Sequence, residues 1–373
     1  MVKRVLGIAT AVALLGIVAY ALIPDDPNPN PKTNTAADKV TITGLIGSEK
    51  RAFFEDQAVK DELAKQGLVV NADSTGSWTM ADQASASPEK LDFAFPASGE
   101  PADAVKRAWK LQDSPVVPFY SPVVILTHPA AAQVLKNGGL AEKDETPDGV
   151  WKFKMDAYVK ALGEGKRWES MAGAENNPDL RGQVLVTTTD PETSSSGAMF
   201  LALLSWAAND HQVVSDDAAV TKVAKVMNAA VGPQGSLKSS TDEVFRNFTA
   251  NVGRPLVFGY ESQVAQLQLQ GAPLNDTVVL YPDTTVHSDH TLVGRTEAGR
   301  KLASLLRDDD ALVSLEAKYG FRPQKRPEVF GQETKGRQPQ LAPDLKSANI
   351  GQAPVPSLEF LRKLTNVAKG GPK

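Results

Sequence analysis

The stretch VTITGLIGSEKRAFFEDQAVKDELAKQGLVV, residues 40–70, is where the fold is decided. Its first seven residues alternate and are rich in β-branched side chains, the pattern of a strand, and Gly47-Ser48-Glu49-Lys50 ends them. Phe53, Val59 and Leu63 then anchor an amphipathic helix among Glu, Asp and Lys, which Gly67 closes. Leu68-Val69-Val70 is the short apolar run of a buried strand. Strand, helix and strand in about 30 residues imply a right-handed crossover between two parallel strands.

The alternation continues outward. Residues 91–95 read as a third strand, ended by Pro96-Ala97-Ser98-Gly99 and followed by a short helix over 102–111. The apolar run 116–127, VVPFYSPVVILT, is broken by Pro118 and Pro122. A single central strand does not tolerate such prolines, so two extended segments meeting at a bend are expected, crossing between lobes. Residues 130–171 are helical and polar by turns. Residues 184–188 form the next strand, and TDPETSSSG at 189–197 leads into a helix over 198–208 with Leu201, Leu204 and Ala208 on one face. A helix over 216–230, a strand over 255–261, a helix over 263–269, a strand over 277–281 and helices over 297–306 and 311–319 complete the pattern. Strands alternating with helices throughout make the class α/β. Periodicity then disappears over 324–356, a polar extended tail too long for a compact structureless loop unless it wraps the surface or is disordered. It returns over 357–368, where Leu358, Leu361, Leu364 and Val367 form a stripe that buries against the body, a partner or the membrane surface.

The chain has 373 residues, 42% hydrophobic and 23% charged, enough for a large core or two domains of ordinary size. Its formal net charge is -4, from 44 acidic and 40 basic residues, which gives no bulk attraction to nucleic acid. The absence of cysteine excludes disulfides, thiolate chemistry, cysteine-held zinc or iron–sulfur clusters, and a lipidated cysteine. Lys3 and Arg4 precede an uncharged, mostly apolar run over 5–23 that Pro24, Asp25 and Asp26 stop. At helical rise it reaches about 28 Å, enough to span a bilayer once. The basic flank puts the folded part outside the cell membrane. Ala19-Tyr20-Ala21 also has the form of a signal-peptidase site, so secretion after cleavage near Ala21 is the alternative. Residues 24–39 are a polar linker.

Four loops at strand ends carry hydroxyl or glycine residues: Gly47-Ser48-Glu49, Ser74-Thr75-Gly76-Ser77, Pro96-Ala97-Ser98-Gly99 and Thr193-Ser194-Ser195-Ser196-Gly197. In open α/β sheets ligands bind beyond the carboxyl ends of strands. Hydroxyls ahead of a helix offer side-chain donors together with free first-turn N–H groups, although each taken alone is an ordinary N-cap. His287 and His290, near Asp283 and Asp289, have an H-x-x-H spacing but no periodic helix around them, so turn or packing roles are expected instead of a metal site. Ser196 lacks the nucleophile-elbow motif, no phosphate or dinucleotide loop is present, and no cofactor is expected.

The order of these segments resembles the bacterial extracellular solute-binding proteins of the two-lobed, type II periplasmic-binding class. The likeness covers residues 40–323. It runs from Gly47-Ser48-Glu49 through Ser74-Thr75-Gly76-Ser77 and Ser121-Pro122 to Thr187-Thr188-Thr189-Asp190-Pro191 with Ser194-Ser195-Ser196-Gly197. That last stretch is similar to the loop and helix that sulfate- and molybdate-binding relatives use on an oxyanion. Phe258-Gly259-Tyr260-Glu261, Tyr281-Pro282-Asp283, Ser288-Asp289-His290 and Lys318-Tyr319-Gly320-Phe321-Arg322-Pro323 resemble solute-binding proteins found beside von Willebrand A-type modules. The resemblance implies lobe one over 40–118 and 262–323, lobe two over 119–261, and capture of a small polar or anionic ligand between them, for ABC-type uptake. Ser48, Thr75, Ser77, Ser98, Ser195 and Ser196 are the expected donors, with Glu261 orienting a cationic group or a hydroxyl. Two departures, the missing lipidation cysteine and the tail beyond residue 323, keep a membrane-anchored sensor or cell-envelope interaction protein open as the alternative; a serine-dependent hydrolase comes third.

Overall fold

The computed structural model describes residues 39–371, apart from 147, 148 and 275. The apolar N-terminal run lies outside the described residues. Among those described, no helix is long and apolar enough to cross a membrane. In the opening unit β1 (Val40–Ile46) and β2 (Leu68–Ser74) pair in parallel. The helix expected between them is two, α1 (Arg51–Glu55) and α2 (Gln57–Lys65). Asp56 makes the break: its backbone is extended, and its carboxylate accepts from the N–H groups of Ala58 and Val59 to start α2.

Next come α3 (Met80–Ala86), β3 (Phe93–Phe95), α4 (Gly99–Ala108) and β4 (Val116–Thr127). After β4 the chain forms α5 (Pro129–Asn137), β5 (Ala141–Lys143), β6 (Trp151–Phe153), α6 (Met155–Glu164), α7 (Ser195–Ala208) and α8 (Asp217–Val231). Then follow α9 (Thr241–Thr249), β7 (Val257–Tyr260), α10 (Glu261–Leu269), β8 (Val278–Pro282), β9 (Thr284–Thr285) and β10 (His287–Gly294). The chain closes with α11 (Glu297–Asp308), α12 (Asp310–Lys318), β11 (Arg322–Pro323), α13 (Glu328–Thr334), β12 (Gly351–Gln352) and α14 (Leu358–Ala368).

The main sheet runs β2-β1-β3-β10-β4-β8-β6-β5, with β7 and β11 also on β4. Its two halves meet along β4. Residues up to Pro122 pair with β10 and β11, and residues from Val123 pair with β7 and β8. The two segments with a bend expected here are therefore one continuous strand. Both prolines sit where the ladder is interrupted. Pro118 lies opposite the irregularity between His290 and Leu292 of β10, and after Pro122 the partner strand changes. β8 and β10 run antiparallel to β4 and carry the chain back, so two strand crossings join the halves.

Each half-sheet is covered on both faces. In the first half, Ile42, Ile46, Phe53 and Leu63 pack with Leu302 and Leu312, and Met80, Ala102 and Val105 fill the other side. In the second half, Tyr158, Phe200, Leu204 and Met227 fill one side and Val124, Phe248 and Val264 the other. The strand expected over 184–188 is reduced to an isolated bridge from Thr187 to Val257, with another from Thr189 to Lys238. The short β7 already pairs with β4 on its other edge, which leaves little backbone for a longer ladder.

The aperiodic tail is built into the body. Phe330, Leu341, Ala342, Leu345 and Ile350 complete the second half's apolar core, and β12 pairs with β9. Its anchors are irregularly spaced because each fills a gap in an existing surface, so no helix or strand period marks them. The stripe on α14 packs against α7 and α8, burying Leu361, Leu364, Val367 and Ala368. Lys363 Nζ stands 2.7 Å from Asp217 at the edge of this contact.

Candidate functional site

β1 connects to β2 on one side while β3 pairs on its other side, which makes a topological switch point. The carboxyl ends of these strands deliver Gly47-Ser48, Thr75-Gly76-Ser77 and Ala97 to one cavity of about 530 Å³. The opposite wall comes from the other half: Thr193, Ser194 and Ser195 at the start of α7, Ser240 and Thr241 at the start of α9, and Tyr260 at the end of β7.

Four helical segments begin at this cavity. Gly47 and Gly76 precede the one-turn helices Ser48–Lys50 and Ser77–Thr79, while Ser194 and Ser240 precede α7 and α9. Gly47 and Gly76 have no side chain with which to cap, and neither Ser194 nor Ser240 bonds its own first turn through its hydroxyl. First-turn N–H groups and hydroxyls thus share one polar space, with Arg51 at its edge, held by Nε donating to Ser74 Oγ at 3.1 Å. The walls meet around it: Ser48 Oγ lies 3.3 Å from Ser240 Oγ, and Ser98 Oγ 3.4 Å from Ser195 Oγ.

Of the seven expected contact residues, Ser48, Thr75, Ser77 and Ser195 line the cavity. Ser77 Oγ already accepts from the Ala97 N–H at 3.1 Å, and Thr75 Oγ1 bonds Thr79 Oγ1 at 3.0 Å. Ser98 stands behind Ser195. Ser196 is fully buried among Thr189, Ser194 and Thr241, with its Oγ at 2.7, 3.1 and 2.6 Å from their hydroxyls, and it ties the loop before α7 to the start of α9. Glu261 is not in the cavity. It is the first residue of α10, and its fully buried carboxylate accepts both Arg322 Nε and Nη2 at 2.7 Å and the Tyr281 hydroxyl. That pairing uses the charge expected to meet a ligand.

Glu49 does line the cavity. Its Oε1 lies 2.5 Å from Lys50 Nζ and 3.4 Å from His290 Nδ1. Burial pushes this carboxyl up, but the adjacent Lys50 ammonium outweighs it and holds the group well below the usual carboxylate range. Burial, then the Lys50 ammonium, push His290 down to about 4, so the ring is neutral and accepts from Lys50 Nζ at 2.9 Å. His287, three residues before it on the same strand, stacks on Tyr120 with ring centroids 4.7 Å apart. An i, i+3 pair on a strand points to opposite faces, and no cluster able to hold a metal occurs among the described residues.

Sequence reasoning missed Arg51, Tyr260 and the wall from α9. The signal for α9 was there: Ser239-Ser240-Thr241 ahead of Val244, Phe245 and Phe248 repeats the pattern of hydroxyls before an amphipathic helix that marked α7.

Two helix-covered half-sheets, joined by two strand crossings and meeting at a polar cavity, define a two-lobed binding protein of the type II periplasmic class. The chain belongs to the bacterial extracellular solute-binding protein family, whose model matches residues 45–322. Its fold is similar to that of the sulfate-binding protein SubI from Mycobacterium tuberculosis H37Rv, with a TM-score of 0.53 and 16% identity over 89% of this chain and 96% of that one. A periplasmic thiamin-binding protein matches with a TM-score of 0.56 and 12% identity over 88% and 96%. An ABC transporter solute-binding protein from Thermotoga lettingae TMO, bound to alpha-D-tagatose, matches with a TM-score of 0.55 and 13% identity over 88% and 93%. No curated protein matches the sequence. The family and these neighbours are binding proteins, not enzymes.

Proposed function

We propose that the cleft captures a small polar anion by hydrogen bonding and hinge closure, without covalent chemistry. The observation that carries this reading is the meeting of four helix starts, none capped by its own N-cap side chain, on one hydroxyl-lined cavity. Ser48, Thr75, Ser195, Ser240 and Arg51 are the proposed contacts, with Ser77, Ser98 and Ser196 holding the loops that present them. The sulfate-binding neighbour is consistent with an oxyanion. The sheet pairings favour lobe boundaries near Pro122 in β4 and near Val286 between β9 and β10, which move residues 262–285 into lobe two. The tail and α14 then belong largely to lobe two. Delivery to an ABC-type transporter follows from the family, and residues 5–23 would hold the folded part outside the membrane. The stripe on α14 is used internally, which removes one of the features that favoured an envelope-interaction role.

Native mass spectrometry of gently purified protein tests the reading, together with thermal shift against a panel of inorganic and organic oxyanions. A retained or stabilising anion is expected, and its effect should fall on Ser195→Tyr, which fills the cavity. A retained neutral apolar molecule, or no stabilisation by any anion, overturns the reading. The mass of the mature N-terminus checks the anchor.

A further inference from the structure

We infer that α14 is a latch across the cleft: its Leu358 and Arg362 meet Trp78 and Asp82 of the first half on closure, so the C-terminal segment sets ligand affinity without touching the ligand. The inference rests on the hinge-closure reading above and adds a part to it. Beside the ligand cavity, and sharing Thr79 with it, a groove of about 420 Å³ separates the two halves. Trp78, in the one-turn helix Ser77–Thr79, and Asp82, on α3, form one wall; Glu192, Ala198 and one face of α14 form the other. α14 is seated on α7 and α8, so it moves with the second half.

Three features mark this groove as an unfinished contact. Its walls carry opposite, exposed charges, Asp82 and Arg362, and neither makes a hydrogen bond or ion pair among the described residues. The neighbouring cations are engaged elsewhere: Lys363 pairs with Asp217 and Glu359, and Lys369 with Asp190 and Glu192. The Trp78 indole N–H is screened from solvent, yet no acceptor reaches it among the described residues. Leu358, which the packing on α7 and α8 leaves half-buried, lines the groove next to buried Leu361. Narrowing the groove covers Trp78 and Leu358 and brings Asp82 toward Arg362. An anion that binds the closed cleft gains affinity from any contact that favours closure, even one made by residues that never reach it.

A charge swap in the full chain at low ionic strength tests this. The chain has no cysteine, so Arg107→Cys on α4 and Lys225→Cys on α8, both exposed, give one spin label per half. Double electron–electron resonance then reads the separation of the halves without any ligand. Arg362→Glu and Asp82→Arg each set like charges across the groove and should each shift the distance distribution outward. The two together restore opposite charges and should return it to wild type. In isothermal titration with inorganic sulfate and inorganic phosphate, each single substitution should weaken binding about three- to tenfold, and the pair should recover to within about twofold. Single substitutions that move neither reading, or a pair that fails to recover, overturn the latch and leave anion capture standing where the wild type binds either anion. A wild type that binds neither overturns capture, and the label distances then decide the latch by themselves.

Discussion

Glu316, on α12, is fully buried, and both its carboxyl oxygens lack a hydrogen-bond partner among the described residues. Burial pushes its pKa well above the usual carboxylate range, opposed only by the charge of Arg326. The folded state therefore keeps this proton to higher pH than the unfolded chain does. Stability falls as pH rises from the ordinary carboxylate value toward the raised one. Glu316→Gln removes that dependence at nearly constant shape. It should stabilise the fold by about 1–3 kcal/mol at pH 7.5 and have little effect near pH 4, where the wild-type group is protonated in both states. Thermal unfolding at the two pH values checks this, and equal shifts at both would sink it. Glu49 has the opposite sign: its depressed pKa adds stability that is lost as pH falls below the usual carboxylate range. The contrast shows why burial alone does not set the charge of a carboxylate. Glu49 has Lys50 at 2.5 Å and Glu316 has no such partner.

At the scale of elements, α14 decides whether the C-terminal segment is part of the fold. Leu364 is fully buried in the cluster formed by Phe200, Leu204, Val223 and Met227. Leu364→Ala should cost about 2–5 kcal/mol in reversible denaturant unfolding, with α7 and α8 destabilised along with it. A helix waiting for an outside partner would show no such loss. The stripe over 357–368 was legible because helical period survives in any context, and so was its need for burial. What it would bury against was not legible, because α7 and α8 lie more than 120 residues away. The same limit explains residues 324–356. Phe330, Leu341 and Ile350 fill gaps in a surface made by distant segments, and no local repeat records such a fit.

Across the whole molecule, Gly76 of the first half faces the Thr193 backbone of the second across the cavity. A Cβ on Gly76 would come within 2.7 Å of the Thr193 carbonyl oxygen. The backbone of Gly76, φ -65° and ψ 135°, suits any residue, so Gly76→Ala strains neither half by itself. It should instead hold the cleft ajar. Ligand affinity is expected to fall about tenfold or more, with thermal stability of the unliganded protein nearly unchanged. Titration paired with small-angle scattering checks this; undiminished affinity with normal compaction on binding would mean that the contact has no part in closure. The α/β class, the β-α-β opening, the lack of cysteine and the polar strand-end loops are legible along the chain, because periodicity and composition are local properties. That Ser48 and Ser195 face a cavity, that Ser196 is locked behind it, and that Glu261 is held by Arg322 sixty-one residues on follows from long-range packing alone. A side chain's partner is set by which strands and helices pack together, and that long-range geometry leaves no mark in the spacing of neighbouring residues.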